Sequence, residues 1–235
     1  KNRWENSSIE RRNFASAEIT TPGAGSEIIS ANAGKSEKTN ASFISRINYD
    51  FKKRYLLTAN FRADGSSSFG PANKWGYFPS FSAGWRISRE AFLEDVENLS
   101  ELKLRAGWGI VGNDTGGYAY LARVGSGGNY PIGGQTMPGT YPATIANDDL
   151  KWEESEQTNI GIDLGLYNGN ITFSVDAYLK KNYDLLLNNP LPTGTGFSSA
   201  IQNVGEIQNK GLEFQLNTVN ITTDNFSWTT SANLS

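Results

Sequence analysis

Side chains along most of this chain alternate between apolar and polar with a period of two. A strand turns successive side chains to opposite faces, so each such segment carries one apolar face and one polar face. From Arg54 to Asp64 one parity reads Tyr55, Leu57, Ala59, Phe61 and Ala63; the other reads Leu56, Thr58, Asn60, Arg62 and Asp64. The same split predicts strands near 41–49, 77–87, 102–111, 157–167, 171–180, 211–218 and 226–234. Within 171–180, Phe173 belongs to the apolar parity and Ser174 to the polar one. Most of these eight strands run about 9–11 residues, enough to cross a bilayer when tilted, whereas globular strands average about 5–6.

A soluble antiparallel sandwich also alternates, but two features separate this chain from one. Arg46, Arg62, Asp163 and Asp176 sit at strand centres on the polar parity, while Tyr49, Tyr55, Tyr77, Trp85 and Trp108 gather toward the ends of the apolar parity. A polar interior and aromatic girdles around an apolar belt are membrane-barrel devices. The expected fold is therefore all-β, an antiparallel transmembrane β-barrel segment of about eight strands.

Composition narrows the chemistry. The 235 residues contain no His and no Cys, which excludes imidazole bases, thiolate nucleophiles, disulfides and Cys- or His-ligated metals. A net charge of −3 offers no basic footprint for nucleic acid. No apolar run is long enough for a transmembrane helix, and Lys1–Glu5 has no apolar core of a secretory signal. The mean hydropathy of −0.47 agrees with a barrel, whose alternation averages to a polar value.

Connections alternate in length. Asp50–Lys53, Asn168-Gly169 and Asn220–Asp224 are short; 64–76, 112–154 and 184–207 are long. Outer-membrane barrels have this pattern, with short periplasmic turns and longer extracellular loops. A helical stretch is expected after the third strand, capped by Ser88 with a body over Arg89–Val96. Residues 1–38 read as a polar lead-in, with part of an earlier strand near 26–33.

Gly107-Trp108-Gly109-Ile110-Val111-Gly112 has the dinucleotide spacing but lies in a strand, without the helix N-terminus that holds a pyrophosphate. Glu153, Glu154 and Glu156, next to Asp148 and Asp149, have the chemistry of a glycosidase pair or a hard-cation site. They read better as an acidic stretch where a strand leaves the membrane. Tyr118, Tyr120 and Tyr130, with Asn113 and Asp114, combine aromatic faces and polar groups suited to sugars or peptides. These five are the candidate ligand-binding residues. No catalytic residue, cofactor or metal site is expected.

Several collinear motifs carry a resemblance. They are Arg62–Gly70 (RADGSSSFG), Trp75–Ser80 (WGYFPS), Ala83–Ile87 (AGWRI), Leu102–Ala106, Leu150–Glu153, Gln157–Gly161 and Asn203–Glu213 (NVGEIQNKGLE). Over about residues 40–235 the chain resembles the SusC/RagA family of TonB-dependent outer-membrane transporters of Bacteroidetes. The resemblance implies a 22-stranded type of barrel with a lumenal plug, larger than this chain builds. It thus implies an internal part of one barrel domain over 1–235, with the plug and the TonB-contacting segment absent. It further implies location in the bacterial outer membrane, import of glycan or peptide oligomers, and no enzymatic activity. The implied partners are a SusD-like surface lipoprotein meeting the three long loops, the TonB–ExbB–ExbD complex through the missing N-terminal part, and outer-membrane lipid. Two other readings fit the alternation: a self-contained small barrel, structural or adhesin-like, whose Phe43 strand pairs with its Trp228 strand, and a carbohydrate-binding β-protein.

Overall fold

A computed structural model describes residues 1–16, 18–19, 21–114 and 117–235. The chain forms two units, Lys1–Ala41 and Ser42–Ser235. In the first, β1 (Asn2–Arg12) and β2 (Glu27–Lys38) pair antiparallel from Asn2↔Lys38 to Arg12↔Glu27, with a bulge at Glu10/Arg11. The lead-in is thus a long hairpin, more ordered than the sequence suggests. The two faces of β1 are alike, polar apart from Trp4 on one and Ile9 on the other, so it leaves no period-two signal; the ladder and the Arg12–Glu27 pair hold it.

The second unit is built on one eight-stranded antiparallel sheet. Its members in chain order are β3 (Asn40–Phe51), β4 (Tyr55–Ser66), β5 (Trp75–Arg86), β6 (Leu99–Asn113), and then four short loop strands intervene. Those are β7 (Val124–Ser126), β8 (Tyr130–Ile132), β9 (Gln135–Met137) and β10 (Thr140–Pro142). The sheet resumes with β11 (Glu153–Leu166) and β12 (Ile171–Tyr183), is interrupted by β13 (Leu186–Pro190) and β14 (Ser199–Asn203), and ends with β15 (Glu206–Thr222) and β16 (Ser227–Leu234). The spatial order is β16-β15-β12-β11-β6-β5-β4-β3. All eight expected strands are present. β3 and β16 are opposite edges and do not pair, which removes the self-contained eight-stranded barrel and leaves a fragment of a larger one.

The apolar parity is left uncovered: Phe43 is 68% exposed and Ile47 67%, values that belong to a surface facing lipid rather than to a protein core. Its aromatics stack in rows. Tyr49, Phe51, Tyr55 and Trp85 form a continuous stack across β3, β4 and β5 with centroid spacings of 6.3, 6.4 and 6.4 Å. Phe43 on Trp75 and Phe61 on Tyr77 mark the other end of these strands. The inward parity is polar and bonded. Arg105 on β6 grips Asp163 of β11 at 2.7 and 2.8 Å and reaches Asp176 of β12 at 3.0 Å, while Ser174 donates to Asp163 at 3.0 Å. Gly161 lies in register between Arg105 and Asp176, and any Cβ there would collide with both side chains.

Short turns occupy one end of the sheet. Lys52 and Lys53 both take left-handed φ of 55°, a type I′ geometry that suits the twist of a two-residue hairpin. The second tight turn spans 167–170, with Asn168 and Gly169 also left-handed. The expected helix after β5 is absent. A single 3-10 turn, Ile87–Arg89, is followed by extended Glu90 and a chain of turns. The carboxylate of Glu90 is drawn back to the wall, accepting from Tyr55 Oη at 2.7 Å, Trp85 Nε1 at 2.9 Å and Arg54 Nη1 at 3.1 Å. That capture holds the backbone away from a continuing helix. Three donors also hold the Glu90 carboxyl below the usual carboxylate range: the indole first, then the phenol, with the guanidinium charge adding to them.

Candidate functional site

The long connections meet at the other end of the sheet and supply its only extensive core among the described residues. Phe69 from the 67–74 loop, Phe78 of β5, Ala119, Leu150 and Trp152 form a buried cluster, flanked by Ile110, Tyr120, Leu186 and Ile201. Phe69 and Trp152 lie 5.2 Å apart, and Phe78 meets Trp152 edge-on at 5.5 Å. Burial of these rings turns three loops into one body.

Side-chain amides then stitch the loop backbones together. Asn203 on β14 accepts from Lys151 N at 2.9 Å and donates to Lys151 O and Asp184 O at 2.8 Å each. Asn147 donates to Ile201 O at 2.9 Å, and Asn73 to Asp149 O at 3.1 Å. Lys151 pairs with Asp184 at 2.6 Å. Inside the longest loop, β8–β9 is a hairpin turning on Gly133-Gly134, nested within the β7–β10 hairpin.

Four of the five sequence candidates come together at the base of this assembly. Asn113 donates to Glu153 at 2.8 Å; Asp114 accepts from Ser66; Tyr118 Oη meets Ser67 Oγ at 2.7 Å; and Tyr120 packs on the buried cluster. Asp114 and Tyr118 tie the end of β4 and the start of the 67–74 loop to the longest loop, whereas Asn113 joins β6 to β11. Tyr130 is elsewhere, half exposed on the β8–β9 hairpin. The acidic residues are divided. Glu154 accepts from Tyr183 Oη and Glu156 from Trp108 Nε1 on the outward parity, whereas Glu153 accepts from Leu186 N. Each is engaged in holding the wall or a loop, and no metal-binding group of three acidic residues exists among the described residues. The G-x-G-x-x-G glycines lie inside β6, and no α-helix follows them among the described residues.

A cleft of about 350 Å³ opens between the 141–145 segment and the chain from Gly196 to Ile201, with Ala119 and Arg123 also lining it. Sequence reasoning missed it, since its walls come from two loops with no shared pattern.

Comparison with known proteins decides the family. The family model described as "TonB dependent receptor-like, beta-barrel" matches residues 3–235. The chain belongs to the TonB-dependent receptor β-barrel family. It is 43% identical over 202 residues to TonB-dependent receptor SusC of Bacteroides thetaiotaomicron, covering 83% of this chain and 20% of the relative. It is 42% identical over 196 residues to TonB-dependent receptor P39 of Formosa agariphila, covering 83% and 18%. A solved structure of the RagAB peptide importer in its closed-closed state superposes with a TM-score of 0.86 at 30% identity, over 98% of this chain and 26% of that one. The siderophore receptor PirA of Acinetobacter baumannii shares the fold at a TM-score of 0.54 and 14% identity. The chain thus spans about a fifth of the curated relatives it matches. Receptors of the SusC and RagA kind are outer-membrane β-barrels, so this sheet is outer-membrane barrel wall and its uncovered apolar face meets lipid. The family is one of transporters and receptors rather than of enzymes.

Proposed function

We propose that this segment is wall, lumen lining and extracellular loops of a SusC/RagA-type importer of glycan or peptide oligomers, driven through TonB. In this reading both units belong to one barrel domain, as the family match from residue 3 to 235 supports. A SusD-like lipoprotein seats on the loop end, and the TonB–ExbB–ExbD complex acts through parts of the protein outside this segment. The observation that carries the reading is the joining of an inward polar wall to a consolidated three-loop body at the long-loop end. Loops held by a core offer a fixed surface for a partner or cargo. Tyr118, Tyr120, Asn113 and Asp114 at the base of the loop body, and Tyr130 on the β8–β9 hairpin, are the proposed cargo contacts.

The test is uptake by cells expressing the full-length protein together with a SusD-like lipoprotein. Labelled oligomers should accumulate in the periplasm, and a protonophore or loss of TonB should abolish accumulation. Energy-independent accumulation, or copurification of the protein without any lipoprotein, would overturn the reading.

A further inference from the structure

The loop cleft has a strand edge for one wall. In the β13–β14 hairpin, Leu191 N donates to Ser198 O and Val204 N to Leu185 O. Antiparallel pairs alternate between hydrogen-bonded and non-hydrogen-bonded, so 189:200 and 187:202 also exchange bonds while 190:199 and 188:201 do not. Pro190, which has no N–H, stands opposite Ser199 in agreement. The backbone groups of Ser199 and Ile201 therefore point away from β13. The Ile201 carbonyl is taken by Asn147. Ser199 N–H, Ser199 C=O and Ile201 N–H have no backbone partner among the described residues.

The 147–151 segment crosses this edge at the Ile201–Asn203 end, held by side-chain amides rather than by a ladder. At the Ser199 end the edge meets the cleft, whose other wall is Tyr141–Ile145. Arg123 lines the same cleft. Its backbone is fixed by Thr144 and Ala143, and its guanidinium has no ion pair among the described residues.

We propose that this cleft binds an extended peptide by strand addition, its backbone pairing with Ser199 and Ile201 of β14 and a carboxylate of the peptide meeting Arg123. Donors and acceptors on an edge recur every second residue, about 6.8 Å apart, which is the repeat of a peptide strand. A neutral glycan has neither that repeat nor a carboxylate. The proposal rests on the import reading and assigns it a cargo class and a contact.

The test uses the full-length protein with its lipoprotein in mild detergent, and a fluorescent pool of hexapeptides of Ala, Val, Thr and Asp. Saturable binding is expected. Ser199→Pro removes one outward N–H without touching the ladder and should weaken binding about two- to tenfold. Arg123→Ala should weaken it and flatten its dependence on salt. Peptides N-methylated at alternate residues should bind the unaltered protein more weakly, a result independent of any effect of substitution on folding. Equal binding of methylated and unmethylated pools would overturn strand addition. Uptake of a neutral linear glucan by a protein that ignores the peptide pool would overturn the proposal and leave the import reading standing. If neither oligomer is bound or imported, both fall.

Discussion

An arginine placed on the outward parity of β12 is expected to destabilise the barrel according to depth, and on the inward parity very little. The outward row is Ile171, Phe173, Val175, Ala177 and Leu179, with Lys181 beyond it at the loop end. A strand rising about 3.3 Å per residue and tilted by about 40° climbs roughly 2.5 Å per residue through the membrane. The row therefore spans about 20 Å, with Val175 about 10 Å from either end and Phe173 about 5 Å from the short-turn end. Arginine on a barrel's lipid face costs about 2–4 kcal/mol at the midplane and about 0–1 near the interfaces. Val175→Arg should thus lower the folded-to-unfolded ratio by roughly 30- to 900-fold. Phe173→Arg should lose about 1–2 kcal/mol from depth, and also its stack on Phe214 at 6.5 Å. Ser174→Arg sacrifices one hydrogen bond to Asp163 but sets a cation beside that carboxylate, for a net change within about 1 kcal/mol. The assay is urea titration of the full-length protein refolded into vesicles, followed by its heat-modifiable gel mobility. Equal midpoints for Val175→Arg and Ser174→Arg would refute the facing assignment. A loss larger at Ile171 or Leu179 than at Val175 would refute the depth argument.

Gly161→Leu should destabilise by about 1–3 kcal/mol in the same titration because it displaces the Arg105–Asp176 contact. Gly107→Ala, whose Cβ finds nothing nearer than 3.9 Å, should be tolerated. Leu150→Ala, at a position only 1% exposed, should cost the loop body about 2–5 kcal/mol; limited proteolysis should then nick the loops while the wall stays resistant. Glu90 titrates lower folded than unfolded, so its contribution is full above the unfolded carboxylate pKa, about 4.3, and is lost as pH falls through the folded value. Glu90→Gln should therefore show a shallower loss of stability than the unaltered protein over that acid range, as measured by urea midpoints against pH.

The wall was legible because lipid imposes a uniform demand. Every outward position at hydrocarbon depth must be apolar and every inward one meets polar groups, so parity survives without any knowledge of partners. The signal stops where the lipid stops. β15 runs from Glu206 to Thr222, yet its alternation is evident only over 211–218, since outward Glu206, Gln208 and Lys210 lie beyond the apolar row while the ladder to β12 continues. β1 was missed because its two faces are alike, polar apart from Trp4 on one and Ile9 on the other. The expected helix failed differently. Ser88 is a favourable N-cap residue and Glu90 an acid suited to a first turn, but Glu90 is bound by three donors on the wall and lies in extended backbone.

The loop body is the opposite case. Its contacts join residues far apart in the chain, such as Trp152 Nε1 to Lys74 O and the Asn203 amide to the backbone of Lys151, and each is a single side chain meeting backbone. No periodicity encodes such a contact. Loop length could be read, and so could an unusual density of tyrosine and glycine; the cleft could not, because its strand edge exists only after β13 and β14 pair and Asn147 covers half of it. This division follows from the two solvents. The bilayer constrains the wall residue by residue and so writes a repeating pattern into sequence, whereas water leaves the loops free to be shaped by whatever they bind. The part of the molecule with the most specific chemistry is therefore the part with the least periodic sequence, and Ser199, Ile201 and Arg123 become visible as a group only in three dimensions.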